Sequence, residues 1–209
     1  SYYTWSCCSA SSLDHKNTLL EGKLGEQIFP ANFTLIDDPR NPMIVNFDYN
    51  GEGHLYEKTP IFENGVFKNF LVDSYYANKL NMTENGAQGA CLVMNTGDKE
   101  FDEMIKSTKK GLFISSLHYM NFINPKESSI TGLTRDGTFL IEDGKLTKVV
   151  NNLRFTVKIS DIINNITEIE NKAHTFPQSD NYGQFSINSF SMPHVKVKAF
   201  NISSSTKTV

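Results

Sequence analysis

Two dipeptides that favour tight turns, each placed between apolar residues, limit the fold of this chain more than any other feature of its sequence. Asn64-Gly65 interrupts an apolar run at 59–70, and Asp143-Gly144 interrupts another at 137–146. Both dipeptides tolerate the positive φ angles that a two-residue type I′ turn requires. Each run therefore predicts a β-hairpin, and the chain must contain antiparallel sheet.

Other segments that are rich in β-branched and aromatic residues predict further strands. These segments are Phe33–Ile36, Met43–Phe47, Gly111–Leu117, Phe155–Val157 and His194–Phe200. In the last of them, valine and alanine alternate with lysine, as expected for a strand with one buried face.

Helical signals are fewer than strand signals. From Asp98 the sequence has acidic residues first, then Lys109-Lys110 and a glycine, which predicts a helix with a capped start and a defined end. A second helix is predicted to begin at Ser160, because isoleucines recur at helical spacing from Ile159 to Ile169. A third helix is predicted over Ser74–Leu80.

The predicted fold class is α+β and β-rich, with mostly antiparallel sheets or a barrel-like sandwich and two or three helices, because no βαβ alternation recurs. The chain has 209 residues, which suits one domain, and no linker interrupts it. We therefore expect a single domain over 1–209, and a fragment of a longer chain because Ser1 stands where a gene product has Met. The polar segment Lys172–Ser191 predicts a long loop, and such loops are often functional.

The charge balance argues against nucleic-acid binding. The chain has 20 basic and 23 acidic residues and a net charge of −3, whereas nucleic-acid binders carry a basic excess. No apolar run approaches the roughly 18 residues of a membrane span, and no signal peptide is recognisable. We therefore expect a cytoplasmic protein without direct contact to nucleic acid or membrane.

Three cysteines, Cys7, Cys8 and Cys91, are too few for a disulfide framework and are expected to be reduced thiols. Cys7 and Cys8 with His15 match no zinc-ligand spacing. The sequence also lacks the common phosphate-binding, dinucleotide-binding, serine-hydrolase and H-E-x-x-H motifs. We therefore assign no catalytic residue and no metal ligand to this chain.

One short motif carries a candidate substrate-binding function. Arg135 and Asp136 lie between Thr134 and Gly137, at the start of the second predicted hairpin. An arginine at such a place could bind a carboxylate, for example the C-terminus of a peptide. The alternative is that Arg135 and Asp136 form a local ion pair that closes a turn. His118 is the third residue that we consider as a candidate for substrate binding.

Several stretches of the chain resemble, in the same order, the C-terminal domain of the TldD/PmbA family, which is also known as modulator of DNA gyrase. The matching stretches are Leu24-Gly25-Glu26, Ile36-Asp37-Asp38-Pro39, Phe47-Asp48, Ile61-Phe62-Glu63-Asn64-Gly65, Leu71 to Asp73, Gly97-Asp98, Gly111-Leu112-Phe113-Ile114, Leu133 to Lys145, Asn152-Leu153-Arg154-Phe155 and Val195 to Val197. They span nearly the whole chain, so their order is more specific than any single stretch.

The resemblance implies a role in proteolysis. Proteins of this family assemble from a catalytic subunit and a related partner, and act on small or unfolded peptides in the cytoplasm. The catalytic subunit binds zinc through a helical H-E-x-x-x-H motif and a cysteine from a late polar loop. Its glutamate would activate a zinc-bound water.

This chain departs from the zinc pattern that the resemblance would predict. Alignment without gaps from Gly25-Glu26 places the H-E-x-x-x-H positions on Ser1, Tyr2 and Ser6, and the cysteine position falls on Ser179. None of these side chains is an ordinary zinc ligand. The resemblance therefore implies the metal-free TldE/PmbA-type subunit, which pairs with a TldD-like catalytic subunit that holds the zinc, or forms a homodimer.

Two alternatives stay open at this point. The zinc motif could lie outside this sequence, in which case the chain belongs to a catalytic peptidase. The chain could instead be a peptide-binding module or gyrase modulator without protease chemistry, although its acidic balance argues against direct contact with DNA.

Overall fold

The computed structural model describes residues 1–178 and 188–205. Within these residues the chain forms five short helices and eleven strands. The helices are α1 (Tyr2–Cys7), α2 (Ala10–Asp14), α3 (Ser74–Leu80), α4 (Phe101–Lys106) and α5 (Ile159–Asn164). The strands are β1 (Leu35–Asp37), β2 (Thr59–Glu63), β3 (Val66–Phe67), β4 (Leu92–Met94), β5 (Lys110–Asn124), β6 (Ser129–Glu142), β7 (Lys145–Val150), β8 (Leu153–Lys158), β9 (Ile166–Gln178), β10 (Asn188–Val197) and β11 (Ile202–Ser205).

The strands form two open sheets, one with the order β3-β2-β1-β4-β10-β9 and one with the order β11-β8-β6-β5, to which β7 is added beside β6. Most pairs are antiparallel, and β10 pairs with β4 in parallel. The predicted α+β class with mostly antiparallel sheets is therefore confirmed. The described residues contain more helices than the two or three predicted, because α1 and α2 precede the first strand.

The chain divides into two compact units, and the division falls inside β9 and β10. The first unit contains Ser1–Thr96 and Lys172–Pro193, and the second contains Gly97–Asn171 and His194–Val209. No helix in the part of the chain that the structure describes is both long enough and apolar enough to cross a membrane.

An aromatic cluster forms the core of the first unit. Phe62 and Phe67 are fully buried, with ring centroids 5.3 Å apart, and Phe29 lies 4.9 Å from Phe62. Phe33 packs edge-on against Phe29 at 5.3 Å. Burying side chains of this size contributes about 1.5–3 kcal/mol each. The cluster therefore fixes the hairpin β2–β3 against the chain that precedes β1.

Both predicted hairpins are confirmed. Asn64 and Gly65 have φ angles of 49° and 77°, and Asp143 and Gly144 have φ angles of 46° and 76°. The first turn also needs glycine for its lack of a side chain, since a Cβ on Gly65 would lie 2.0 Å from the carbonyl oxygen of Phe29. The predicted helix Ser74–Leu80 is confirmed as α3, with Asp73 as its N-cap.

The predicted strand Met43–Phe47 is wrong. Its backbone bonds to side chains instead of a neighbouring strand: Val45 N–H donates to Ser189 Oγ at 2.7 Å, and the carbonyl of Met43 accepts from Thr175 Oγ1 at 2.9 Å. Met43, Val45 and Phe47 alternate as a strand would, but all three side chains are exposed. The alternation is present, but the backbone of this segment is not part of either sheet among the described residues.

Other boundaries also differ from the predictions. The helix predicted from Ser160 ends at Asn164, and the isoleucines that follow start strand β9, because β-branched residues suit a strand when a partner strand is available. The predicted loop Lys172–Ser191 is strand up to Gln178 and again from Asn188, and 179–187 lie outside the described residues. The last predicted strand, His194–Phe200, begins earlier, at Asn188, and ends at Val197.

A buried carboxylate fixes the connection that precedes β4 in the first unit. Asp37 accepts hydrogen bonds from the backbone N–H groups of Gln88 at 3.2 Å, Gly89 at 2.8 Å and Cys91 at 2.8 Å. The side chain is 2% exposed. Burial raises the pKa of Asp37, and the three N–H groups oppose this increase.

We predict that Asp37→Asn lowers the free energy of unfolding by about 1–3 kcal/mol, because the amide turns an N–H group toward a backbone donor. Burial raises the pKa of Asp37 in the folded state, so the folded protein holds this proton more tightly than the unfolded chain does. The contribution of Asp37 to stability therefore falls as the pH rises through the window above its unfolded pKa. The deficit of the Asn variant should be larger near pH 4 than near pH 7.

Urea denaturation at both pH values measures this deficit. Asp98→Asn is the matched control, because the Asp98 side chain is 85% exposed, and it should change stability by less than about 0.5 kcal/mol at either pH. A deficit of the Asp37 variant that grows with pH would contradict the prediction.

Candidate functional site

The structure brings the three predicted substrate-binding residues together in the second unit. His118 lies on β5, and Arg135 and Asp136 lie on β6. Arg135 Nη1 is 2.5 Å from His118 Nε2. Since arginine can only donate, Nε2 is the acceptor and His118 is the neutral tautomer protonated on Nδ1. We predicted Arg135 and Asp136 at the start of a hairpin, but they lie inside the 14-residue strand β6.

Two irregularities in the β5–β6 ladder enclose this pair. The register passes from Ile114↔Thr138 to Ser116↔Arg135, so β6 has one extra residue there. It then passes from His118↔Leu133 to Asn121↔Thr131, so β5 has one extra residue at that point. Bulges of this kind increase the local twist and turn side chains away from their regular directions.

The backbone at these irregularities adopts conformations that ordinary residues rarely accept. Tyr119 and Asp136 have φ angles of 53° and 58°, and Gly137 has a φ angle of 119°. The Ser115 hydroxyl lies 2.9 Å from the carbonyl oxygen of Asp136 and 2.7 Å from that of Gly137. A single side chain therefore holds the β6 bulge in place, and positive φ at non-glycine residues is a feature that often accompanies functional sites.

The carboxylate of Asp136 neutralises only a small part of the positive charge on Arg135. Its Oδ1 is 3.8 Å from Arg135 Nε, and the two side chains are 70% and 51% exposed. Ion pairs with this exposure contribute about 0–1 kcal/mol. The local ion pair that we considered as an alternative is thus present but weak, and a neutral imidazole is the closer partner of the guanidinium.

A second pair of polar side chains in the same unit was not predicted from the sequence. Glu170 is 5% exposed, and its Oε2 lies 2.6 Å from His194 Nδ1 and 3.1 Å from the backbone nitrogen of His194. A carboxylate can only accept, so His194 carries its hydrogen on Nδ1. No motif in the sequence indicates this pair, since 24 residues separate its members.

Aromatic rings surround the imidazole of His194. The centroid of Phe101, from α4, lies 4.8 Å from that of His194, and the centroid of Phe113, from β5, lies 6.1 Å away. A histidine whose Nδ1–H is held by a carboxylate is the usual arrangement of metal-binding and base-type histidines. Glu170 and His194 could therefore each contribute a ligand atom to a cation.

Helix α1 contains the positions on which the family's zinc helix falls. Ser6 is buried, and its Oγ lies 3.4 Å from Cys7 Sγ. Burial raises the pKa of Cys7, and raises that of Cys8 well above its ordinary value. The hydroxyl groups at the matched positions are not ordinary zinc ligands, and the fourth position, Ser179, lies outside the described residues.

The chain belongs to the family described as PmbA/TldA metallopeptidase C-terminal domain, which matches residues 1–204. This is the family that the sequence motifs indicated. The family membership makes the chain a metallopeptidase-related domain, whichever subunit type it represents.

Individual relatives support this assignment. An uncharacterized protein of Methanocaldococcus jannaschii is 33% identical over 145 residues, covering 68% of this chain and 34% of its own length. The metalloprotease PmbA of Escherichia coli O157:H7 is 26% identical over 172 residues, covering 80% of this chain and 37% of its own length. The chain thus spans about a third of the length of the curated relatives it matches.

A solved structure shares the fold. The crystal structure of TldE from Thermococcus kodakarensis superimposes with a TM-score of 0.79 at 22% sequence identity, covering 96% of this chain and 47% of the TldE chain. At this identity the similarity concerns the fold.

We predict that Glu170→Gln lowers the free energy of unfolding by about 1–2 kcal/mol, because a buried charge-assisted contact becomes a neutral one. Glu168→Gln is the matched comparison. Glu168 also pairs with a residue of β10, Lys196, at 3.0 Å, but its side chain is 21% exposed against 6% for Glu170. Urea denaturation should show the smaller loss for Glu168→Gln, and an equal or larger loss would contradict the role of burial.

Proposed function

We propose that this chain is the C-terminal part of a metal-free TldE/PmbA-type subunit, the non-catalytic partner in a two-subunit zinc peptidase that acts on small or unfolded peptides in the cytoplasm. Family membership over residues 1–204 supports the peptidase context. The observation that carries the non-catalytic assignment is the set of side chains in and before α1, where hydroxyl groups occupy the zinc-ligand positions.

Physical chemistry favours this assignment over a zinc site in α1. Zinc requires deprotonated thiols, neutral imidazoles or carboxylates. At the matched positions α1 offers Tyr2 and Ser6, and the pKa of the neighbouring Cys7 is raised by burial. The zinc and the glutamate that activates its water would therefore come from a TldD-like subunit.

Metal analysis tests the proposal directly. We expect the purified protein to retain far less than one zinc per chain after dialysis, because its α1 side chains cannot replace the aqua ligands of the ion. Cys7→Ser should not change the zinc content. One zinc retained per chain would overturn the metal-free assignment, and loss of that zinc in the Cys7 variant would place the metal beside α1.

Reconstitution tests the partnership. Peptide hydrolysis should require both this protein and a family subunit that carries H-E-x-x-x-H, and a chelator should abolish it because the metal belongs to that subunit. The protein alone should be inactive with or without added zinc. Activity of the protein alone, or full activity of the H-E-x-x-x-H subunit in its absence, would contradict the proposal.

A further inference from the structure

A second arginine lies beside Arg135 on the five-stranded sheet. Leu133 of β6 pairs with Arg154 of β8 on one side and with His118 of β5 on the other. These three side chains form a row across the sheet, and Arg135 follows two residues beyond Leu133 on the same face. Arg135 and Arg154 are thus diagonal cross-strand neighbours, and diagonal neighbours lie roughly 7–8 Å apart, within reach of long side chains. The chain has three arginines in total.

Rigid elements set the spacing of these two arginines. Arg135 and Arg154 are exposed, whereas the neighbouring Thr134 and Leu153 are buried. Thr134 Oγ1 accepts the backbone N–H of Leu153 at 3.0 Å. The backbone beneath the two guanidinium groups is therefore held by a buried hydrogen bond, so little backbone entropy is lost when a ligand binds above it.

The positive charge of this face is poorly compensated. Arg154 forms no ion pair with any residue in 1–178 or 188–205, and Asp136 lies 3.8 Å from Arg135 Nε. The closer partner of Arg135 is the neutral His118, which orients the guanidinium without neutralising it. Two like charges held on neighbouring strands repel each other, and an anion between them would remove that repulsion.

We propose that Arg135 and Arg154, with His118 as the positioning residue of Arg135, bind the C-terminal carboxylate of a peptide. This rests on the proposed peptidase context for the choice of a peptide as the source of the anion. A planar carboxylate suits the paired N–H donors of guanidinium groups, which form bidentate contacts. The two guanidinium groups carry more positive charge than one carboxylate neutralises, so each arginine contacts the carboxylate from its own side. We call this pair, Arg135 and Arg154, the clamp.

The clamp gives the non-catalytic subunit a defined task in peptide hydrolysis. It would hold the chain terminus of a substrate through a group that every unmodified peptide carries, whatever its sequence. Recognition of a terminal carboxylate depends on charge and geometry alone, and not on the side chains of the peptide. It therefore suits a peptidase that acts on short peptides of different sequences.

The probe is N-acetyl-tetraalanine, used with a free C-terminal carboxylate and with a C-terminal amide. Calorimetry and side-chain NMR of the arginine Nε–Hε groups measure its Kd on the protein. We expect the free acid to bind at least tenfold more tightly than the amide, and to shift the resonances of both arginines, since a charge-assisted contact corresponds to roughly ten- to hundredfold in affinity. An acid-to-amide ratio near one, or no saturable binding of the acid, would overturn the proposal.

Three matched variants locate the effect. Arg135→Gln and Arg154→Gln should each bring the acid-to-amide ratio close to one. Arg40→Gln is the control and should leave the ratio unchanged, because Arg40 is the remaining arginine of the chain and belongs to the first unit. Arg135→Lys should lower the ratio as well, because the charge stays and the fork is lost. A purely structural role would instead lower the Tm of the Arg135 and Arg154 variants and leave the ratio intact.

Two further measurements complete the test, one with variants of His118 and one with inorganic phosphate. His118→Leu should reduce the ratio through the loss of its contact with Arg135, and His118→Gln, which keeps an acceptor, should restore part of it. Inorganic phosphate serves as a competitor. If phosphate shifts the same two arginines and binds more tightly than the peptide acid, the face is a phosphate site and the carboxylate assignment is wrong. These readouts do not depend on zinc, so the clamp can fail while the metal-free assignment stands.

Discussion

The second unit is built around strand β6, because this strand pairs with three other strands. It pairs with β5 along most of its length, with β8 over Ser129–Leu133 and with β7 over Thr138–Glu142. The change from β8 to β7 occurs at 134–137, where no regular ladder can continue on that side. The Thr134 side chain accepts a hydrogen bond there, and the extra residue of the β6 bulge fits into the same interval.

The direction of Arg135 is therefore a consequence of this exchange of strands. The bulge and the positive φ of Asp136 and Gly137 turn the chain at the point where β6 loses one partner and gains another. Arg154 stands near the start of β8 for the same reason, because β8 begins beside Leu133. The two arginines lie close together because β6 changes its partner from β8 to β7 at this point in the sheet. Both belong to strands, so no loop is needed to position them.

Buried carboxylates perform the same structural task in each unit. Asp37 accepts hydrogen bonds from three backbone N–H groups. Glu170 accepts hydrogen bonds from the backbone N–H group and from the ring Nδ1–H group of His194. The backbone around Glu170 is also closely packed, since a Cβ on Gly97 would lie 2.3 Å from the carbonyl oxygen of Ile169. Burying a charge is tolerated only where several donors surround it, so both acids sit where otherwise irregular backbone needs acceptors.

The local features of this protein could be predicted from its sequence. Asn64-Gly65 and Asp143-Gly144 defined two hairpins through their tolerance of positive φ, and the helix predicted over Ser74–Leu80 is present. The ordered motifs identified the family, and Arg135, Asp136 and His118 were singled out before their contacts were known. Tertiary contacts were needed to show that Met43–Phe47 is not a strand, that the isoleucines after Asn164 belong to β9, and that Glu170 contacts His194. Those outcomes depend on which distant strands become neighbours, and periodicity along one segment carries no information about its partner. Arg154 could not be recognised beside Arg135 for the same physical reason: their proximity is set by the register of β6 and β8.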